Sequence, residues 1–180
     1  AFHRAWIISG LSDYVTGPQI LGARSSGLLG AEFFGNSGGD VSINEFRLRH
    51  AWVKLDWKNT QLGIGQYFHP LINLLALPNT VNYTTGSPFH PVNRNPQIRL
   101  THSTGHVTSY VTLMSQRDFT PNTIAYRNAA MPAFNFHTFY RHKNMIFGGT
   151  VQYEQIRPDI SSGNPVVVSE ERLASFTAMV

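Results

Sequence analysis

The chain has 180 residues, 42% hydrophobic and 12% aromatic but only 13% charged, with 14 basic and 10 acidic side chains and no cysteine. Soluble domains carry about 25% charged residues, so an ordinary water-facing surface is short of charge here. The missing cysteines exclude disulfides and thiolate metal sites. The net charge of +4, with no Lys/Arg run, argues against nucleic acid and for an anion-attracting cavity.

In chain order, the first predicted strand runs from about His3 to Val15 and ends at Gly17-Pro18. The second covers Ser25 to Phe34, where Leu29, Ala31 and Phe33 oppose Leu28, Gly30 and Glu32; the loop Asn36-Ser37-Gly38-Gly39-Asp40 follows. The third, Glu45 to Trp57, turns through Lys58-Asn59 into the fourth, Thr60 to Tyr67. Its apolar set starts as Phe46 and Leu48, then changes parity to Ala51, Val53, Leu55 and Trp57. A β-bulge near Arg49-His50 repairs this. Without one, Arg47 and Arg49 share a face with the apolar set, at a cost of about 2–4 kcal/mol each if that face meets the middle of a bilayer.

A long irregular segment with five prolines, 69–96, comes next. Strands resume at Gln97–Ser103 and Val107–Gln116, then at Ala133–Arg141 and Met145–Ile156, and last at Glu171–Val180. The alternation is cleanest at 145–154: Met145, Phe147, Val151 and Tyr153 on one parity, Gly148, Thr150, Gln152 and Glu154 on the other. Period-two alternation makes a strand with one greasy and one wet face, and about ten residues is what a tilted strand needs to cross a bilayer. Connections of two or three residues alternate with long ones, the asymmetry of short periplasmic turns and long outer loops. No apolar stretch approaches the roughly 18–20 residues of a membrane helix, and a closed barrel is then the way to satisfy the backbone in lipid. The expected fold is an all-β, antiparallel transmembrane β-barrel, one region over 1–180 with about nine strands visible.

Gly27-Leu28-Leu29-Gly30-Ala31-Glu32-Phe33-Phe34-Gly35, Phe46-Arg47-Leu48-Arg49-His50-Ala51-Trp52-Val53-Lys54-Leu55, Gly63-Ile64-Gly65-Gln66-Tyr67 and Pro96-Gln97-Ile98-Arg99-Leu100 together carry a resemblance. Over roughly 17–117 the chain resembles Gram-negative outer-membrane porins, in particular trimeric, substrate-selective porins and the porin-like proteins of Bacteroidota. That resemblance implies a 16- or 18-stranded trimeric barrel in the bacterial outer membrane, with lipid and lipopolysaccharide around it and a third long loop narrowing the pore. Segment 69–96 stands where that loop would be. Nine strands are half of such a wall, so the resemblance implies an incomplete chain. A closed eight-stranded barrel is the competing count.

Arg47, Arg49 and Arg99 are then expected on the water-lined inner wall, Arg94 at the loop root, and Glu32 or Asp56 facing them across the pore. Opposed charges set a transverse field and a ring of arginines favours anions, whereas paired arginines only brace the loop. Tyr67, Phe68, His69, Tyr83 and Phe89 belong to the expected constriction loop, where the aromatic rings stack a solute or pack the loop on the wall.

Gly35-Asn36-Ser37-Gly38-Gly39-Asp40 resembles a serine-protease nucleophile motif, but only His3 and Asp13 precede it as base and orienting acid, and the usual Asp is Asn36. No catalytic residue is assigned. The pairs His102/His106 and His137/His142 flank turns and share no helical face, so no metal and no cofactor is expected. The expected function is passive diffusion of small hydrophilic solutes, anionic ones among them, through a homotrimeric porin. A soluble carbohydrate-binding sandwich and a plugged structural barrel are the alternatives.

Overall fold

In the computed structural model, residues 9–35, 44–74, 93–116, 128–162 and 166–180 are described. Alternating stretches become β1 (Ser9–Ile20), β2 (Ala23–Gly35), β3 (Asn44–Asp56), β4 (Thr60–Phe68), β5 (Arg94–Thr104), β6 (Val107–Met114), β7 (Ala133–His142) and β8 (Met145–Ile156). Two-residue strands β9 (Ser161–Ser162) and β10 (Val167–Val168) pair within the last long connection, and β11 (Leu173–Met179) closes the series. All but β9 and β10 form one sheet in which each strand pairs antiparallel with its chain neighbours, in the order β1-β2-β3-β4-β5-β6-β7-β8-β11. No helix among the described residues is long and apolar enough to cross a membrane.

The short connections 21–22, 57–59, 105–106 and 143–144 all lie at one end of the sheet, and the connections of 8 to 25 residues at the other. Leu21, Gly22, Gly105 and Lys143 have positive φ, the backbone that tight hairpins need. Tyr14 of β1 and Phe139 of β7 line the same cavity, so the sheet curls until distant strands face each other. Among the described residues β1 and β11 are not paired with each other, so these nine strands form a curled wall rather than the closed eight-stranded ring.

The two faces are inverted relative to a soluble protein. Phe147 and Val151 are 62% and 52% exposed, while Thr150 and Gln152 are 3% and 5%. Leu29, Val53, Ile64, Ile98, Leu113 and Phe136 join the exposed set, and Asn95, Gln97, Thr112, Asn135 and His137 the buried one. Asp13 is an exception; its parity puts it on the apolar outer face of β1.

Two expectations change. The first strand does not stop at Gly17-Pro18: a register shift between Thr16 and Gln19 takes the proline out of the ladder, and β1 continues to Ile20. Segment 69–96 is not all loop, because β5 begins at Arg94 and runs through Pro96. The proline carbonyl still accepts from the Ser115 amide at 2.9 Å. The loop at 36–40 lies outside the described residues, as do residues 3–8 of the first expected strand.

Candidate functional site

The enclosed face carries a row of paired positions, Ser26, Lys54, Gly63, Arg99, Thr112, Asn135 and Gln152, running across β2 to β8. Each is in direct register with the next, so the alternation of seven strands converges on one band of small, polar or cationic residues.

Above that band sits the arginine cluster. Gly30 pairs with His50 and Ala31 with Leu48, which leaves Arg49 as the extra residue of a β-bulge. The bulge switches parity, so Phe46 and Leu48 point outward with Val53, while Arg47, Arg49 and Trp52 point inward. Gln66 replaces part of the ladder lost there, its amide donating to the Leu48 and Arg49 carbonyls at 3.1 and 3.2 Å. Glu32, 1% exposed, is directly opposite Arg47 on the neighbouring strand. Its Oε1 accepts from Arg47 Nε and Nη2 at 2.8 and 2.5 Å. Arg49 Nη1 lies 3.0 Å from Oε2, an ion pair off the hydrogen-bond axis. Glu32 therefore stands beside the arginines, not across a pore from them, and leaves one net positive charge on the wall.

Asp56 does not face them either. It is nine residues from Arg47 along the same strand, about 30 Å at strand rise, where it accepts from Gln61 Nε2 at 2.5 Å and lies 3.7 Å from Lys54 Nζ. Two strand-mates separated by that rise cannot oppose each other.

The chain leaving β4 turns inward. Gln97 Nε2 donates to the Tyr67 and Phe68 carbonyls, both at 3.0 Å, and Arg99 Nη2 donates to the Phe68 carbonyl at 3.0 Å. Tyr110, two strands away on β6, donates its hydroxyl to the Pro70 carbonyl at 2.9 Å. Leu71 and Ile72 are buried by this crossing. The His69 amide donates to the Asn93 carbonyl at 3.1 Å and ties the two ends of the connection together. His69 Nδ1 accepts from the Leu71 amide at 3.2 Å, and burial, then the Arg99 guanidinium, push this imidazole down to about 4. His69 is thus the expected loop residue; Tyr67 and Phe68 are the last residues of β4. Tyr83 and Phe89 lie outside the described residues. Arg94, at the first position of β5, sets its guanidinium 4.8 Å from the Phe68 ring centre.

Arg99 is clamped by rings and carbonyls. Its guanidinium carbon is 4.8 Å from the Tyr110 ring centre, 5.6 Å from Tyr67 and 6.0 Å from Trp52. Gln97 Oε1 accepts from Nη2 at 2.7 Å and from Nε at 3.2 Å. The ring faces attract the cation through their quadrupoles. Trp52 stacks on Tyr67 at 5.1 Å, and Tyr110 on His137 at 4.6 Å. Trp52 lies flat over Gly63, where any Cβ would overlap the indole, and Gly65 (φ +125°) brings β4 equally close to the Ala51 carbonyl. A cavity of about 490 Å³ opens beside Arg99, bounded by Lys54, Tyr14, Thr101 and Tyr110.

Gln97, Tyr110 and His137 are the site residues that sequence reasoning missed. Their signal was available: all three occupy the polar parity of their strands. Among the described residues no group of three His, Asp or Glu side chains converges as a metal site.

No protein-family model matches the chain, and no characterised protein matches it by sequence. Among solved structures it is similar to the outer membrane channel DcaP of Acinetobacter baumannii, with a TM-score of 0.68 and 15% identity. The likeness covers 93% of this chain and 44% of that channel, so the chain spans less than half the length of the protein it matches. The fold is that of an antiparallel β-barrel wall.

Proposed function

We propose that this chain forms wall and constriction of an outer-membrane channel through which small hydrophilic solutes diffuse passively, with a preference for anions. One observation carries the reading: apolar side chains face outward and polar ones are enclosed, along β2 to β8. In water such an outer face is an aggregation hazard, and in lipid it is the favoured surface. The inward crossing at 69–72 supports the role of a pore-narrowing loop. Anion preference rests on Arg47 and Arg49 sharing a single carboxylate, with Arg99 held by uncharged partners. A homotrimer in the outer membrane, surrounded by lipid and lipopolysaccharide, follows from the porin resemblance, and no catalytic group is part of the proposal.

The test is reconstitution. The protein should float with phosphatidylcholine vesicles and give stepwise conductance in planar bilayers, with a reversal potential on the anion side. Replacing Arg47 and Arg99 by Ala should move it toward zero. Protein that stays in detergent-free buffer contradicts the reading. Insertion without conductance favours a plugged structural barrel, a reading that the complete enclosure of Thr112 and Asn135 on the inner wall also supports.

A further inference from the structure

The short-turn end of the wall differs in charge from the rest. Arg24, Lys58, Arg141 and Lys143 are all exposed there, and His106 and His142 stand beside them. Asp56, already engaged by Gln61 and Lys54, is the carboxylate at that end among the described residues. On β7 and the two turns beside it, the rings gather: His106 is 5.0 Å from His142 and 5.7 Å from Tyr140, and Tyr140 lies nearly parallel to His142. His142 Nδ1 is shielded from solvent, which leaves Nε2 as the ring nitrogen that a ligand can reach. On the same outward parity Met145 is paired with His142, and Val107 and Phe147 with Tyr140; all three apolar side chains are exposed.

We propose that this corner is a binding site for an anionic glycerophospholipid. Its phosphate would accept from the His106 and His142 ring N–H groups and from Lys143. Its acyl chains would lie on Val107, Met145 and Phe147, continuous with the lipid-facing wall. The proposal rests on the membrane reading above and adds to it which lipid is held, and where. Two features select this occupant. The charge is cationic and the surface is amphipathic, with imidazole, phenol and ammonium donors directly beside exposed hydrocarbon. Short turns lie on the periplasmic side, where the neighbouring lipid is a phospholipid. A soluble anion would use the donors but not the apolar side chains beside them.

The test is native mass spectrometry of the intact protein extracted from vesicles of equal phosphatidylglycerol and phosphatidylcholine. Each cation near the surface contributes about a five-fold preference for anionic lipid, so retained phosphatidylglycerol should exceed phosphatidylcholine by at least that factor. The variants His106→Gln/His142→Gln and Lys143→Gln should each lower the ratio several-fold, and the three changes together should bring it to parity. Arg172→Ala, at the opposite end, should leave it unchanged. Folding is monitored in every variant by vesicle flotation. Equal retention of the two lipids by the parent protein overturns the lipid site while the channel reading stands, as does a ratio that the triple variant leaves intact. A parent protein that does not float with these vesicles overturns both.

Discussion

Replacing Glu32 by Gln tests the arginine cluster most sharply, because one buried carboxylate serves two guanidiniums. Unit charges about 4 Å apart interact by about 4 kcal/mol at an effective dielectric near 20. The arginine side chains are 31% and 29% exposed against 0% for the glutamate, so water screens part of that attraction. Removing one partner of a buried pair costs about 3–5 kcal/mol; the open arginines lower the expected loss to about 1–3 kcal/mol. The variant also raises the local wall charge from +1 to +2. At about 10 Å from the wall an added charge shifts an ion's energy by about 0.4 kcal/mol in water. The effects on anions and cations are opposite in sign, and screening over a Debye length of about 10 Å reduces both. The anion-to-cation permeability ratio should therefore rise about two-fold. Urea unfolding in vesicles, followed by tryptophan fluorescence, reads the first effect. Reversal potential under a salt gradient at 0.1 M reads the second. An unchanged ratio together with an unchanged midpoint would refute the idea that Glu32 neutralises one of the two arginines.

Gly63→Ala forces the Trp52 indole off its seat on β4 and unstacks it from Tyr67; overpacking of this kind costs about 1–3 kcal/mol, measurable as a lower urea midpoint with a shifted tryptophan emission. Tyr110→Phe removes the bond to the Pro70 carbonyl but keeps the ring over Arg99. It should cost about 1 kcal/mol and raise current noise by loosening the loop root, with mean conductance little changed; quiet single-channel records would speak against the tether. His69 has a folded pKa of about 4 against 6.5 unfolded, so the proton binds the open state first. Loop-root anchorage is then full above pH 6.5, falls as pH drops from 6.5 to about 4 by about 3 kcal/mol, and levels off below. Hydrogen exchange of residues 69–74, corrected for its intrinsic pH dependence, should accelerate through that window in the parent and not in His69→Asn.

The wall was legible because alternation is local. The strands at 133–142 and 145–156, the tight turns, and the bulge at Arg49 all follow from where apolar residues change parity. The site was less legible because its contacts cross strands. Glu32 lies fifteen residues before Arg47, and only the β2–β3 register makes them neighbours. Trp52 sits mid-strand beside outward-facing Val53, and the parity change at Arg49-His50 is what turns it inward over Gly63. Trp57, Phe134, Phe136 and Tyr140 project outward. Pro18 and Pro96 were misleading for one reason: a proline lacks a donor, but a bulge or a carbonyl-only position makes that loss harmless.

Spin labels placed one at a time on β8 address the inverted wall most directly, and a chain without cysteine makes Phe147→Cys, Thr150→Cys, Val151→Cys and Gln152→Cys clean attachment points. In vesicles, labels at 147 and 151 should relax with lipid-soluble oxygen, and labels at 150 and 152 should be shielded from it. Oxygen accessibility highest at 150 and 152, or flat across all four positions, would contradict a wall whose hydrocarbon side faces the bilayer.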